Sequence, residues 1–101
     1  MVKTSKEDAK RMLSNAAPEK AFWVNNGPVL RGIAELASAA RKLSAQQFIH
    51  HVNSGRNDFA KWVDEVVKDS ELARKLRQAK TKDDFARALT NRLKQLQKLI
   101  Q

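Results

Sequence analysis

Apolar residues recur at steps of three and four along most of the chain, which is the spacing of helices with one buried face. The two clearest runs extend from Leu30 to Leu43 and from Phe85 to Ile100. Shorter runs of the same kind lie before and between them. This pattern predicts five or six short helices, with a longer one at the C-terminus.

Residues that suit helix starts and turns separate these runs. Their side chains can accept hydrogen bonds from the first turn of a helix, and we expect such caps at Ser5, Ser44 with Gln47, Asn57 and Thr81. Residues 25–28 (Asn-Asn-Gly-Pro) form the strongest turn signal, and Pro28 is expected in the first turn of the second helix. Three glycines and two prolines are too few for a many-stranded sheet. The sequence therefore predicts a compact all-α bundle, a single domain over residues 1–101.

The composition narrows the class of protein. The 101 residues contain no cysteine, which excludes disulfides, thiolate catalysis and cysteine-ligated metals. No stretch approaches the 18 consecutive apolar residues of a membrane span, and the polar residues 1–11 do not resemble a signal peptide. We expect a cytoplasmic protein without a membrane role.

Charge is unevenly distributed along the chain. Twenty Lys and Arg oppose eleven Asp and Glu, a net charge of +9. Residues 70–101 hold nine of the basic residues and three of the acidic ones, whereas residues 58–69 hold two basic and four acidic residues. Most of the positive surplus therefore belongs to the last two predicted helices.

Helical spacing places this surplus on outward faces. The candidate nucleic-acid-binding residues are Arg74, Arg77 and Lys80 on the fifth helix, Arg87, Lys94 and Lys98 on the last, and, as secondary contributors, Arg31, Arg41 and Lys42. If the last two helices pack as an antiparallel pair, we expect their basic stripes to share one surface. Such a surface can displace counterions from a phosphate backbone.

These features favour a non-enzymatic protein that binds nucleic acid through phosphates with little sequence selectivity, DNA more than RNA. A helix-turn-helix is rejected because its recognition helix would be the acidic fourth helix, with Asp64 and Glu65. All six aromatics are expected on buried faces, which disfavours stacking on single-stranded bases. The alternative for the charge itself is that it only keeps the protein soluble.

Catalytic and metal chemistry finds little support. His50 and His51 are adjacent, so their side chains diverge by about 100° on a helix, and no further histidine is present. We interpret one of them as structural, either hydrogen-bonded to a backbone carbonyl or helping to close the turn at residues 53–57. No phosphate loop, nucleophile motif or metal-ligand spacing occurs, and no cofactor is expected.

The apolar residues leave a second function open. Phe22, Trp23 and Trp62 are interpreted as core anchors, with an aromatic binding patch as the alternative. The last helix carries more apolar residues than one packing face needs: Leu89, Leu93, Leu96, Leu99 and Ile100. The alternative function is therefore an adaptor or oligomerisation module that uses this helix. Binding of the basic face to anionic lipid is a third, weaker possibility.

Several motifs recur in a familiar order over roughly residues 20–90. They are Phe22 with Gly27, Glu35-Leu36-Ala37, Phe48, His51-Val52, Asn57-Asp58-Phe59-Ala60 with Trp62, and Leu72-Ala73. In them the chain resembles a family of small helical domains from archaea and bacteria that is catalogued as a domain of unknown function. The resemblance implies a helical fold, an archaeal or bacterial origin, and structural roles for His51, Asn57, Asp58 and Trp62. It brings no catalytic residues, and the basic C-terminal stripe lies largely outside it.

Overall fold

The computed structural model describes residues 4–101, and within them the chain folds into six α-helices and two very short hairpins. The helices are α1 Lys6–Leu13, α2 Ile33–Ala40, α3 Ala45–His51, α4 Asp58–Trp62, α5 Ser70–Gln78 and α6 Lys82–Leu99. The prediction of an all-α bundle with a longer C-terminal helix is confirmed.

The predicted caps form the helix starts. Ser5, Asn57 and Thr81 each accept a hydrogen bond at 3.0 Å from the backbone N–H three residues ahead. Ser44 and Gln47 make a reciprocal capping box, in which each side chain accepts from the other residue's backbone N–H. These caps satisfy N–H groups that have no partner within the helix, and so they define where each helix begins.

The hairpins were not predicted. Strand β1 (Phe22–Trp23) pairs with β2 (Val29–Leu30), and β3 (Val52–Asn53) pairs with β4 (Arg56–Asn57), both antiparallel. Two residues are too few to show the alternation by which a strand is recognised in a sequence. The hairpins lie at the two turn-rich segments, where they connect helices rather than form a sheet of their own.

The placement of Pro28 in a helix was wrong. Pro28 closes the turn between β1 and β2, where its carbonyl accepts a hydrogen bond from the N–H of Val24 at 3.1 Å. Helix α2 begins five residues later, at Ile33, with Gly32 as its N-terminal flanking residue. Leu30, in β2, and Leu43, after the helix, are nonetheless both buried. The apolar stripe thus marks the core correctly but extends past both ends of the helix.

Helix α4 continues into a wider π-helical turn, Val63–Val67. That turn ends at Lys68, whose backbone adopts the left-handed conformation with φ of 64°. Asp69 follows directly and caps α5, its carboxylate accepting the N–H of Leu72 at 3.1 Å. The sharp reversal at Lys68 lets α4 and α5 pack against each other.

The core is centred on aromatic rings and on the inner face of α6. The rings of Phe22 and Phe59 stack with centroids 4.6 Å apart, and Phe59 meets Phe85 of α6 edge-on at 5.3 Å. Leu89 and Leu96 extend the same inner face and are fully buried. Helix α6 packs against α1, α2 and α5, so it is the element around which the other helices assemble.

The overall dimensions agree with one compact domain. The Cα radius of gyration is 12.8 Å, close to the roughly 13 Å expected of a 100-residue domain. Within residues 4–101, no helix combines the length and apolar character needed to cross a bilayer.

Candidate nucleic-acid interface

The predicted nucleic-acid-binding residues are almost all on the surface. Eight side chains are exposed: Arg41, Lys42, Arg74, Arg77, Lys80, Arg87, Lys94 and Lys98. The ninth, Arg31, is half-buried. Exposure of the guanidinium and ammonium groups is the first requirement of a phosphate-binding surface.

Two residues of the predicted fifth-helix stripe line a groove beside the β3–β4 hairpin, but Lys80 lies beyond the helix, because α5 ends at Gln78. Arg77 and Lys80 lie there with Arg56 of β4, around a cavity of about 550 Å³. Arg77 makes one long ion pair, Nη2 to the Asp64 carboxylate at 3.4 Å, between two side chains that are each about half exposed. Exposed pairs of this kind contribute little to stability, so the Arg77 guanidinium remains available to a phosphate.

The last-helix stripe has a different neighbour. Arg87 and Arg41, from α6 and the end of α2, line a common cavity of about 190 Å³ together with Asp83. Arg41 also donates to the hydroxyl of Thr90, one turn along α6, at 3.4 Å. The fold therefore brings together a primary and a secondary candidate that are 46 positions apart in the sequence.

On α6, the contacts separate the edge that carries Arg87 from the edge that faces the start of α5. The edge of α6 that faces the start of α5 carries Arg92, whereas Thr90, on the α2 side, lies about 200° away around the helix. Arg87 follows the Thr90 edge, being three residues from it. Arg77 and Lys80 thus line the groove at the β3–β4 hairpin, whereas Arg87 lies with Arg41 on the α2 side of α6. The outward stripe of Arg87, Lys94 and Lys98 is called the α6 ridge below.

The two remaining secondary candidates occupy separate positions. Arg31 donates from Nε and Nη2 to the carbonyl of Ala16, at 3.1 and 3.0 Å, which fixes the loop after α1 against the end of β2. Lys42 lines a cavity of about 490 Å³ beside Pro28 and Val29, where Glu35 is also present. Arg31 therefore has a structural role in addition to any role in binding.

Arg92, which the sequence reasoning passed over, is the one basic side chain buried in the described chain. Its guanidinium binds the carboxylate of Asp69 through Nε at 2.8 Å and Nη2 at 3.1 Å, and both side chains are 1% exposed. Nη1 donates to Glu71 and Gln95, and Nη2 also donates to Thr4. A visible signal was its spacing from Leu89 and Leu96, three and four residues away, which places it on the inner face.

One histidine, His51, has a structural role as expected, but its ring bonds to Asn25 and Asp58 rather than to a backbone carbonyl or to the turn at residues 53–57. Its Nδ1 lies 3.0 Å from the carboxylate of Asp58, and its Nε2 accepts the backbone N–H of Asn25 at 3.0 Å. Because Nε2 accepts, the ring proton is on Nδ1 and points at Asp58. Both nitrogens are occupied, so the ring ties the β1–β2 turn to the start of α4. His50 is exposed.

The expectation that all six aromatics face the core was wrong for Trp23. Phe22 and Trp62 are buried, and the Trp62 indole N–H donates to the carbonyl of Lys20 at 2.8 Å. Trp23, in contrast, is 73% exposed. The sequence shows two adjacent aromatics, and in a strand adjacent side chains point to opposite faces.

The apolar surplus of the last helix is partly covered by the chain itself. Leu89 and Leu96 are buried, while Leu93, Leu99 and Ile100 are half-buried and packed against the core. The large apolar side chains that are exposed among residues 4–101 are Trp23, Val29 and Ile49, none of which lies on α6.

Residues 4–101 contain no group of three or more His, Asp or Glu side chains placed to hold a metal ion. A scan of the chain against protein-family models finds no match. Searches of the curated proteins and of the solved structures find no significant match either. The resemblance to a helical domain family drawn from the motifs stays a prediction.

Proposed function

We propose that this protein binds nucleic acid, DNA in preference to RNA, through backbone phosphates and without catalysis. The supporting observation is that the six main candidate side chains, unlike Arg92, are exposed. In the described chain Arg74, Lys80, Arg87, Lys94 and Lys98 form no ion pair with a carboxylate, and Arg77 forms one weak pair.

The electrostatics favour a contact that ignores base sequence. A surface with net charge +9 attracts any phosphate backbone, and each neutralised phosphate releases condensed counterions. The acidic side chains Asp64 and Glu65 on the π-helical turn would repel phosphates if that segment entered a groove of DNA. Binding therefore depends on phosphates rather than on base edges. A cytoplasmic location accords with a chain that contains no cysteine.

The direct test is binding to a labelled random-sequence DNA duplex, from low to physiological salt, repeated with an RNA duplex. We expect the logarithm of the binding constant to fall linearly with the logarithm of salt concentration, by about 0.9 for each phosphate neutralised on DNA. Duplexes of different sequence should bind alike. Absence of binding to both duplexes at low salt would contradict the proposal and leave the charge as a solubility feature.

A charge-matched pair of variants locates the surface. The triple variant Arg87→Gln, Lys94→Gln and Lys98→Gln removes three charges from the α6 ridge. The control removes three exposed charges elsewhere, by Lys6→Gln, Lys10→Gln and Lys61→Gln on α1 and α4. We expect the ridge variant to reduce the salt slope by roughly two to three, and the control by clearly less. Equal slopes for the ridge variant and the unaltered protein would remove this ridge from the interface.

A further inference from the structure

Trp23 lies on the outer face of the β1–β2 hairpin. It is 73% exposed, and Val29, directly opposite it in the strand pairing, is 41% exposed. The hairpin is anchored from the other face by Phe22, which stacks on Phe59 in the core. The Trp23 ring is therefore an open aromatic surface on a fixed backbone, although tryptophan is on average a well-buried residue.

A cation follows this hairpin in the chain. Arg31 comes two residues after Val29 and directly after Leu30, the last residue of β2. Its guanidinium is held by the carbonyl of Ala16 through Nε and Nη2, which leaves Nη1 without a partner in the described structure. The loop that holds it, in turn, receives a backbone bond: the N–H of Ala16 donates to the carbonyl of Arg31 at 2.6 Å.

Ala16 also lines a cavity of about 230 Å³ that is surrounded by positive charge. Arg11, Lys20 and Lys68 reach it from three separate segments, the end of α1, the 3₁₀ turn Pro18–Lys20 and the end of the π-helical turn. No carboxylate of the described residues lines it. Asp8 competes with a bound phosphate for Arg11, because its carboxylate is 3.5 Å from Nη2 of Arg11.

The backbone contributes to this convergence of cations. Arg11 is held over the π-helical turn because its Nη1 donates to the carbonyl of Val67 at 3.2 Å. Lys68 is directed to the cavity from a left-handed backbone conformation, φ 64°, which side-chain-bearing residues seldom adopt. Strain of this kind persists where the surrounding structure imposes it, and it concentrates at functional sites.

We propose that the Trp23 face and this cationic cavity together bind a single-stranded segment of nucleic acid, with one base stacked on Trp23 and a neighbouring phosphate in the cavity. An exposed aromatic ring next to cations is how proteins bind single strands without reading sequence. In a duplex each base is already stacked within the helix, so Trp23 gains no base without unpairing it. This inference rests on the proposed function and adds to it a preference for unpaired strands.

The stacking half of the inference is tested with three ligands bound to the full chain: a thymidine oligonucleotide, an abasic oligonucleotide of the same length and a DNA duplex. Trp23→Ala should weaken binding of the thymidine strand about tenfold. It should leave the abasic strand and the duplex unchanged, because neither offers a free base. Ile49→Ala, which removes another exposed apolar side chain, should leave all three unchanged.

Fluorescence supplies a readout that does not depend on how well the alanine variant folds. The chain has two tryptophans, of which Trp62 is buried. Tryptophan emission should be quenched by the thymidine strand in the unaltered protein and remain unquenched in Trp23→Phe. That variant should retain most of the affinity, because phenylalanine also stacks on bases.

The charge half is tested with Lys20→Gln and Lys68→Gln together, against Lys6→Gln and Lys10→Gln as a double variant of equal charge. Both control lysines are exposed and do not line the cavity. We expect the first pair to lower the salt slope for the thymidine strand by roughly 0.7 to 1.4, and the control by less. Equal slopes for the two double variants would overturn the role of the cavity.

The outcomes separate this inference from the proposed function. The stacking site is overturned if Trp23→Ala binds the thymidine strand as tightly as the unaltered protein and the strand does not quench the tryptophan emission of either protein. Duplex binding would in that case still support phosphate recognition. If no nucleic acid binds at low salt, both proposals are overturned. A protein dimer in sedimentation that Trp23→Ala converts to monomer would assign the aromatic face to a protein contact, which also overturns the inference.

Discussion

The inner and outer faces of α6 present the same residue type in opposite surroundings. Arg92 on the inner face is 1% exposed and binds a carboxylate that is equally buried. Arg87 on the outer face, five residues earlier, is exposed and makes no ion pair in the described structure. The two arginines add equally to the net charge, yet only Arg87 can meet a phosphate. A count of basic residues on a helix therefore overstates the charge available for binding.

The reason lies in what each arginine meets. Asp69 is fixed as the cap of α5, with its carboxylate buried, and such a charge needs a partner in the protein interior. Arg92 supplies that partner and satisfies its remaining N–H groups with Glu71, Gln95 and Thr4. In residues 4–101 every buried side-chain nitrogen or oxygen has a hydrogen-bond partner. The buried pair thus ties α6 to the start of α5.

The largest effect is expected from breaking this pair. Arg92→Met leaves the Asp69 carboxylate buried without its partner, which should lower the free energy of unfolding by about 3–5 kcal/mol. Arg87→Met, the matched change on the outer face, should alter it by no more than about 0.5 kcal/mol. Urea unfolding followed by circular dichroism measures both.

A double variant checks that the cost arises from the unpaired charge. Asn at position 69 can still cap α5 but carries no charge, so adding Asp69→Asn to Arg92→Met should restore a large part of the lost stability. Additive losses in the double variant would mean that the packing of the Arg92 stem, and not the ion pair, accounts for the effect.

The sequence was sufficient for the helices because their signals are local. Each cap acts over three residues, and the buried stripe of α6 repeats over several turns, so both are legible without knowing the fold. Arg92 was missed because an arginine among leucines was counted as surface charge. Its position between Leu89 and Leu96 was the available clue, but Asp69, its partner, is 23 positions away and no local rule joins the two.

The candidate site was less predictable because it depends on how distant segments meet. Arg41 and Arg87 line one cavity, and Arg56 and Arg77 line another. Both arrangements follow from helix packing that the sequence pattern does not specify. Trp23 was misassigned for a different reason. Phe22 and Trp23 were both interpreted as core anchors, whereas the short strand turns Trp23 outward.

The adjacent histidines allow the same comparison of a buried with an exposed side chain: His51 is buried and His50 is exposed. His51→Ala removes a ring that packs edge-on against Phe22 and Phe59 and takes away the hydrogen-bond partner of the Asn25 N–H. We expect a loss of about 2–3 kcal/mol in unfolding free energy, from the cavity and from the unpaired N–H. His50→Ala should cost no more than about 0.5 kcal/mol, because its exposed side chain makes no hydrogen bond in the described chain. Similar losses in the two variants would contradict the structural assignment of His51.

The two neighbouring glutamines should differ by a smaller amount. Gln47 completes the capping box of α3, and its amide nitrogen donates to the carbonyls of Asn25 and Asn26 at 3.1 and 3.0 Å. Because these bonds lie at the surface, Gln47→Ala should cost about 1–2 kcal/mol. Gln46→Ala is the control, and thermal unfolding midpoints should rank it beside the unaltered protein. A midpoint for Gln47→Ala equal to that of the control would show that water replaces these bonds without cost.

The smallest expected change in unfolding free energy is at Lys68, where stability and binding should change in opposite directions. Lys68 holds a left-handed backbone conformation that glycine adopts without strain, so Lys68→Gly should raise the unfolding free energy by roughly 0.5–1 kcal/mol. Lys61→Gly, within α4, should lower it by about 1 kcal/mol, since glycine weakens a helix interior. If Lys68 serves the cationic cavity, the stabilised variant should also bind the thymidine strand several-fold more weakly. A gain in stability with unchanged affinity would mean that the strain at Lys68 serves only the chain reversal between α4 and α5.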